Sequence, residues 1–186
     1  MLVESARIAK MKKNFTELKK IHEETNHSNQ LKKTIDSTPF ETKYEVISTQ
    51  IENFQLNVVA GEHSAKLDEP LSIAGDNTAM NAVQMLISAF ASCLETNWLF
   101  YITAYKLEVE DVRVHISAVI DRRYSLGITP ARVKSFVITS SLITNEPLDK
   151  IENIAEKAKK TCVVGGSIHP DIERIYNIEI LKPDLA

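Results

Sequence analysis

Two residues in this 186-residue chain carry chemistry that their neighbours do not explain: Cys93 and Cys162. A thiol in an accessible, electropositive setting can act as a nucleophile or a redox centre, whereas a buried one behaves as a small hydrophobe. Two cysteines are too few for a disulfide framework or an all-cysteine zinc site. Their separation along the chain does not pair them. His63 and His169 are present but not spaced as metal ligands. The run His22-Glu23-Glu24-Thr25-Asn26 begins like a zinc-protease helix, but His27 falls one residue late, on another face. No GxSxG nucleophile turn occurs, and neither GxGxxG nor GxxxxGK[ST] is present. Only 5 glycines are available to build phosphate loops.

Composition sets the frame for these residues. Apolar residues make up 44% and charged residues 25%, which suits a globular chain long enough to bury a core. With 22 Lys+Arg against 25 Asp+Glu, the net charge of −3 gives no overall electrostatic case for nucleic acid. No apolar segment with a small-residue cleavage site opens the chain, so a cytoplasmic location is the default expectation. There a lone cysteine pair is catalytic or inert rather than structural.

The elements that must position the cysteines follow from periodicity. Residues 4 to about 34 read as an amphipathic helix or helix pair, with Ile8, Met11, Phe15, Leu18 and Ile21 on one face. Residues 1–40 hold 8 Lys+Arg and 5 Asp+Glu, a net of +3, leaving −6 for the rest. A basic amphipathic helix can lie on a membrane; the plainer reading is a docking helix with a solvated face. Thr38-Pro39 ends that pattern, which predicts a helical extension over 1–38 and a main domain over 39–186. Strand-like runs follow at Tyr44–Ile47 and Ile51–Val59, joined by a turn near Gln50 or Asn53. A short strand and loop fill 62–76.

Asn77 or Thr78 can cap a helix that is apolar almost all round and carries Cys93. Its length would cross a membrane, but Gln84, Ser88, Ser92, Glu95 and Asn97 interrupt it, favouring a central helix buried by sheet and kinked near Thr96-Asn97. Two strands around 112–120 and 133–138, a helix over about 148–160, a Gly165-Gly166 loop and a strand over 173–181 complete the order. This is an α+β pattern, with mostly antiparallel sheet packed on the long helix.

The runs Asp68-Glu69-Pro70, Gly75-Asp76-Asn77-Thr78 and Gln84-Met85-Leu86-Ile87-Ser88-Ala89-Phe90-Ala91-Ser92-Cys93-Leu94 resemble the OsmC/Ohr family of osmotically inducible and organic-hydroperoxide-resistance proteins. Thr161-Cys162-Val163-Val164 stands where that family carries a second cysteine. The likeness extends from about residue 40 to 181, and the Asp121–Gly127 loop and helical N-terminus resemble a divergent OsmC-like branch.

The resemblance implies an OsmC-like fold, an intertwined homodimer and no resident cofactor or metal. It also implies reduction of organic hydroperoxides by a two-cysteine cycle, with a dithiol such as a lipoyl group as reductant; the near-neutral charge and the interrupted central helix lead us to expect no nucleic-acid or membrane partner. By position Cys93 would attack the peroxide and Cys162 would resolve the sulfenic acid. The family's glutamate, nine or ten residues before the first cysteine, is replaced by Val83 and Gln84, its helix-start proline by Ala82, and the proline after the second cysteine by Val163. Gln84 can hydrogen-bond but brings no charge. No arginine occurs between 41 and 60, so Arg122 or Arg123 could supply the positive charge. The alternative is a non-catalytic dimer of this fold that binds a small apolar or thiol ligand.

Overall fold

The computed structural model describes residues 2–29 and 40–183. The chain forms two compact units, Ser5–Ala82 and Met1–Glu4 with Val83–Ala186. The boundary anticipated at 38/39, and the last turns of the first helix, lie outside the described residues.

The first unit holds α1 (Ser5–Asn29) and an antiparallel meander of β1 (Ile47–Glu52), β2 (Gln55–Ala60) and β3 (His63–Leu67). The β1–β2 turn falls at Asn53, whose φ of 46° is one that asparagine tolerates better than most residues. The first strand starts at Ile47 rather than Tyr44, and Ile51 belongs to it.

After β3 the chain is gathered around Asp68, a buried carboxylate. It accepts hydrogen bonds from the Glu69 N–H at 2.8 Å, the Thr78 N–H at 2.9 Å and the Thr78 hydroxyl at 2.7 Å. These donors, the Thr78 N–H foremost, hold Asp68 below the usual carboxylate range. Gly75 is obligatory in this knot, because a Cβ there would stand 1.9 Å from the Glu69 carbonyl oxygen. The knot corrects the expected helix start. Asn77 has a left-handed φ of 54° and Thr78 is committed to Asp68, so neither caps the helix, which begins at Ala82.

The second unit contains α2 (Ala82–Ala104, from Val83 onward), β4 (Val109–Ile120), β5 (Val133–Thr144), α3 (Leu148–Thr161), α4 (Val163–Ser167) and β6 (Glu173–Leu181). β4 pairs antiparallel with β5, and β6 pairs parallel with β5. A parallel neighbour needs a crossover, which α3 and α4 supply. On β5, Phe136, Ile138, Ser140, Leu142 and Thr144 alternate onto the buried face.

α3 presents Ile151, Ile154, Ala155 and Ala158 to the core at helical spacing. Asp149 in its first turn and Lys159 and Lys160 in its last suit the helix dipole. α2 is long and apolar enough to cross a membrane, yet Phe90, Leu94, Trp98 and Ile102 form a stripe buried in the same core. Full burial of this helix was expected; in this chain only that stripe is buried.

α2 runs as one continuous helix through Thr96-Asn97. The Thr96 hydroxyl donates back to the Ser92 carbonyl at 2.8 Å, and the Asn97 amide donates to the Ala158 carbonyl at 3.2 Å. Both polar side chains thus find partners without interrupting the helix. Trp98 Nε1 donates to the Ser140 hydroxyl at 3.0 Å, satisfying a buried indole that the apolar core alone could not.

Candidate active site

Cys93 lies in the middle of α2, one turn after Phe90. Cys162 lies at the junction of α3 and α4, where it ends one helix and caps the next. The α3 crossover returns the chain to the sheet beneath α2, so residues 69 apart in sequence meet. Cys162 Sγ and Cys93 Sγ are 3.2 Å apart, with the Cys162 thiol donating. Both are free thiols; Cys93 is half-buried and Cys162 is 3% exposed. A disulfide needs a sulfur separation of about 2.05 Å, so the pair is about 1.2 Å from bonding distance.

The surroundings of Cys162 are specific. Its Sγ accepts the Gly165 N–H at 3.3 Å. The Gly165 carbonyl accepts Arg174 Nη1 from β6 at 2.9 Å. A Cβ on Gly165 would come within 2.8 Å of Phe90 Cε2 and 3.3 Å of Cys162 Sγ, so only glycine fits this approach without displacement. The expected Gly165-Gly166 loop is therefore a short helix, turned so that its first N–H groups face the sulfur.

Burial pushes the Cys162 thiol up to about 11, and its contact with Cys93 adds to that; the Gly165 and Val164 N–H groups oppose the shift. Burial therefore keeps the proton on Cys162 at neutral pH. Tyr176, on β6 two residues beyond Arg174, is also raised by burial, while Arg174 pulls it down.

The other residues singled out in the sequence are placed differently. Gln84 is exposed on α2. It lies nine residues before Cys93, about 13 Å away along the helix axis and on the opposite side. Arg123 is committed to Asp121, whose carboxylate accepts from its backbone N–H at 3.0 Å and from Nε at 2.9 Å. That pairing holds the Asp121 carboxyl down to about 2. Arg122 is exposed on the same turn. The arginine that reaches the cysteine loop is Arg174, which strand periodicity alone does not distinguish. Its link emerges only from the parallel register that sets Arg174 beside Phe136.

A family model described as OsmC-like protein matches residues 75–175, more than half of the chain and both cysteines. Solved structures share the fold. A protein of Psychrobacter arcticus assigned to osmotic-stress induction and the detoxification response is 22% identical over 75% of this chain and 98% of its own, with a TM-score of 0.62. An OsmC-like protein of Mycoplasma pneumoniae is 11% identical over 76% and 99%, with a TM-score of 0.65. An organic hydroperoxide resistance protein of Legionella pneumophila is 17% identical over 74% and 97%, with a TM-score of 0.59. No curated protein matches the sequence. The chain belongs to the OsmC-like protein family.

Proposed function

We propose that this protein is a thiol-dependent peroxidase that reduces organic hydroperoxides through Cys93 and Cys162. The observation that carries this reading is the 3.2 Å contact between the two sulfurs, one buried and one half-buried. The Legionella pneumophila relative, named for organic hydroperoxide resistance, supports the substrate class.

The Cys93 thiolate attacks the terminal peroxide oxygen. The O–O bond breaks, Cys93 becomes a sulfenic acid, and the alkoxide leaves as the alcohol after taking a proton. Cys162 then attacks the sulfenic sulfur. A disulfide forms and the hydroxyl departs as water. A small dithiol restores both thiols and leaves as its own disulfide. The proximity of Cys162 matters because it removes the sulfenic acid before further peroxide drives it to irreversible acids.

Gln84 enters this reading only through a second subunit. A homodimer fits α2, an apolar helix with a single buried stripe in one chain. The alternative of a ligand-binding dimer without turnover is favoured by the neutral Gln84 in place of the family's glutamate. Incubation of the reduced protein with cumene hydroperoxide and a dithiol separates the two. Consumption that depends on dithiol, disappears in Cys93→Ser and leaves oxidised Cys93 trapped in Cys162→Ser is the expected outcome. Equal background rates in all three proteins would refute the peroxidase.

A further inference from the structure

The Cys162 sulfur is held by one short loop, and that loop is held in turn by a side chain from another element. Gly165 offers its N–H to Cys162 Sγ and its carbonyl to Arg174. Phe90 closes the other side of Gly165, edge-on to Phe136 at 5.6 Å, and Phe136 is the register partner of Arg174 on the neighbouring strand. Arg174 and Phe90 therefore bracket the glycine whose N–H meets the sulfur.

We propose that Arg174 is a positioning residue for Cys162, fixing Gly165 so that its N–H supports the sulfur in the two steps where Cys162 bears negative charge. The proposal rests on the two-cysteine reading above. In the first step the Cys162 thiolate attacks the sulfenic sulfur of Cys93. The S–S bond forms, the S–O bond breaks, and the hydroxide leaves as water with the proton that Cys162 gave up. In the second step the dithiol reductant attacks Cys93, the more accessible of the two sulfurs. The S–S bond breaks, Cys162 leaves as a thiolate and is reprotonated, and the second thiol of the reductant releases Cys93.

The balance of forces on Cys162 explains why this matters. In the reduced protein, burial and the neighbouring Cys93 both hold its proton on. Once Cys93 is oxidised to a neutral sulfenic acid, the influence of the Cys93 thiol is gone. Burial remains, and the loop N–H groups are what oppose it. A hydrogen bond strengthens roughly twofold when its acceptor becomes charged, so a correctly held N–H counts most in these two steps.

Closure of the disulfide driven by diamide, followed from pH 6 to 10 by alkylation and mass measurement, tests the proposal in the full chain. Diamide needs no peroxide chemistry. Arg174→Met is expected to slow closure at neutral pH by about tenfold, the scale of losing one hydrogen bond to a charged acceptor. It should also move the pH midpoint of closure upward, and Arg174→Lys should recover part of both. A purely structural role would lower the melting temperature without moving that midpoint. An unshifted midpoint in Arg174→Met therefore overturns the proposal. Should that variant not fold, Arg174→Gln is read the same way: an upward midpoint supports the proposal and an unshifted one overturns it. A wild type that closes with this arginine dependence yet consumes no hydroperoxide would remove the peroxidase reading and leave the role of Arg174 standing.

Discussion

Gly165→Ala probes the packing of the site most directly. The added Cβ would stand 2.8 Å from Phe90 Cε2 and 3.3 Å from Cys162 Sγ. Carbon atoms in contact prefer about 3.5–4.0 Å, so roughly 0.7–1.2 Å of overlap must be relieved. Phe90 is 1% exposed and wedged against Phe136, which leaves its ring nowhere to swing. Overpacking of this kind costs about 1–3 kcal/mol. Alanine recovers about 0.5–1 kcal/mol of the backbone entropy that glycine loses in a helix. Gly165 has no left-handed φ, so no backbone strain adds to the account.

The net destabilisation is thus modest, and the sharper readout is chemical. The sulfurs must close by about 1.2 Å to bond, and relief of the overlap displaces either Phe90, one turn from Cys93, or Cys162 itself. Treatment of the reduced protein with one equivalent of hydroperoxide, quenched by alkylation and weighed, should show Cys93 oxidising at the wild-type rate. Loss of the two protons that marks the disulfide should be slowed about tenfold, which corresponds to 1.4 kcal/mol of barrier. Excess peroxide should then accumulate sulfinic acid on Cys93. Closure of Gly165→Ala at the wild-type rate would show that this packing does not govern the approach of the sulfurs.

Three further outcomes follow from the same structure. Ser140→Ala strands the buried Trp98 indole N–H, at a cost of about 1–3 kcal/mol; thermal melting should fall by several degrees, and an unchanged melting temperature would mean another acceptor is in reach. Because burial raises Cys162 from 9.0 to about 11 in the folded state, its contribution to stability is complete below about pH 9 and is lost as pH rises towards 11. Urea titrations of wild type should show that alkaline decline, and Cys162→Ala should show less of it. Oxidation to the Cys93–Cys162 disulfide closes a loop spanning 69 residues and should add up to roughly 4 kcal/mol by the loop-entropy model, read as a higher urea midpoint that dithiothreitol reverses.

Much of the fold was legible because its signals are local. Alternation exposed β4, and the 3.6-residue period exposed a helix over about 148–160 that is α3 (Leu148–Thr161). Where the sequence misled, a tertiary contact had replaced a local preference. Thr78 has the chemistry of a helix cap, but Asp68 takes both its N–H and its hydroxyl. The Gly165-Gly166 pair argues for a loop, but the Cys162 sulfur caps a turn of helix there. The cysteine pairing was legible only through the motif around Cys93, since nothing in their spacing implies contact. Arg174 was hidden for a related reason, because the parallel register beside Phe136 joins two strands separated by the whole crossover.

On the proposed cycle, the same geometry favours Cys93 as the attacking thiol and Cys162 as the resolving one. A reversed assignment would ask peroxide to reach Cys162, which is 3% exposed, and would ask that buried sulfur to ionise first. Burial opposes both requirements, and the proton that Cys162 holds is directed at Cys93. In the forward assignment the half-buried Cys93 meets the oxidant while the neighbouring thiol donates to its sulfur. That thiol must surrender its proton only after Cys93 has been oxidised, when the loop N–H groups act on Cys162 without the opposition of a reduced neighbour. The groups that hold a sulfur here lie on Cys162: a glycine that admits it, an N–H that meets it and an arginine that holds the glycine. On the proposed cycle these groups act in the resolving step, so disulfide closure rather than peroxide attack is the step expected to be most sensitive to substitution of Gly165 or Arg174.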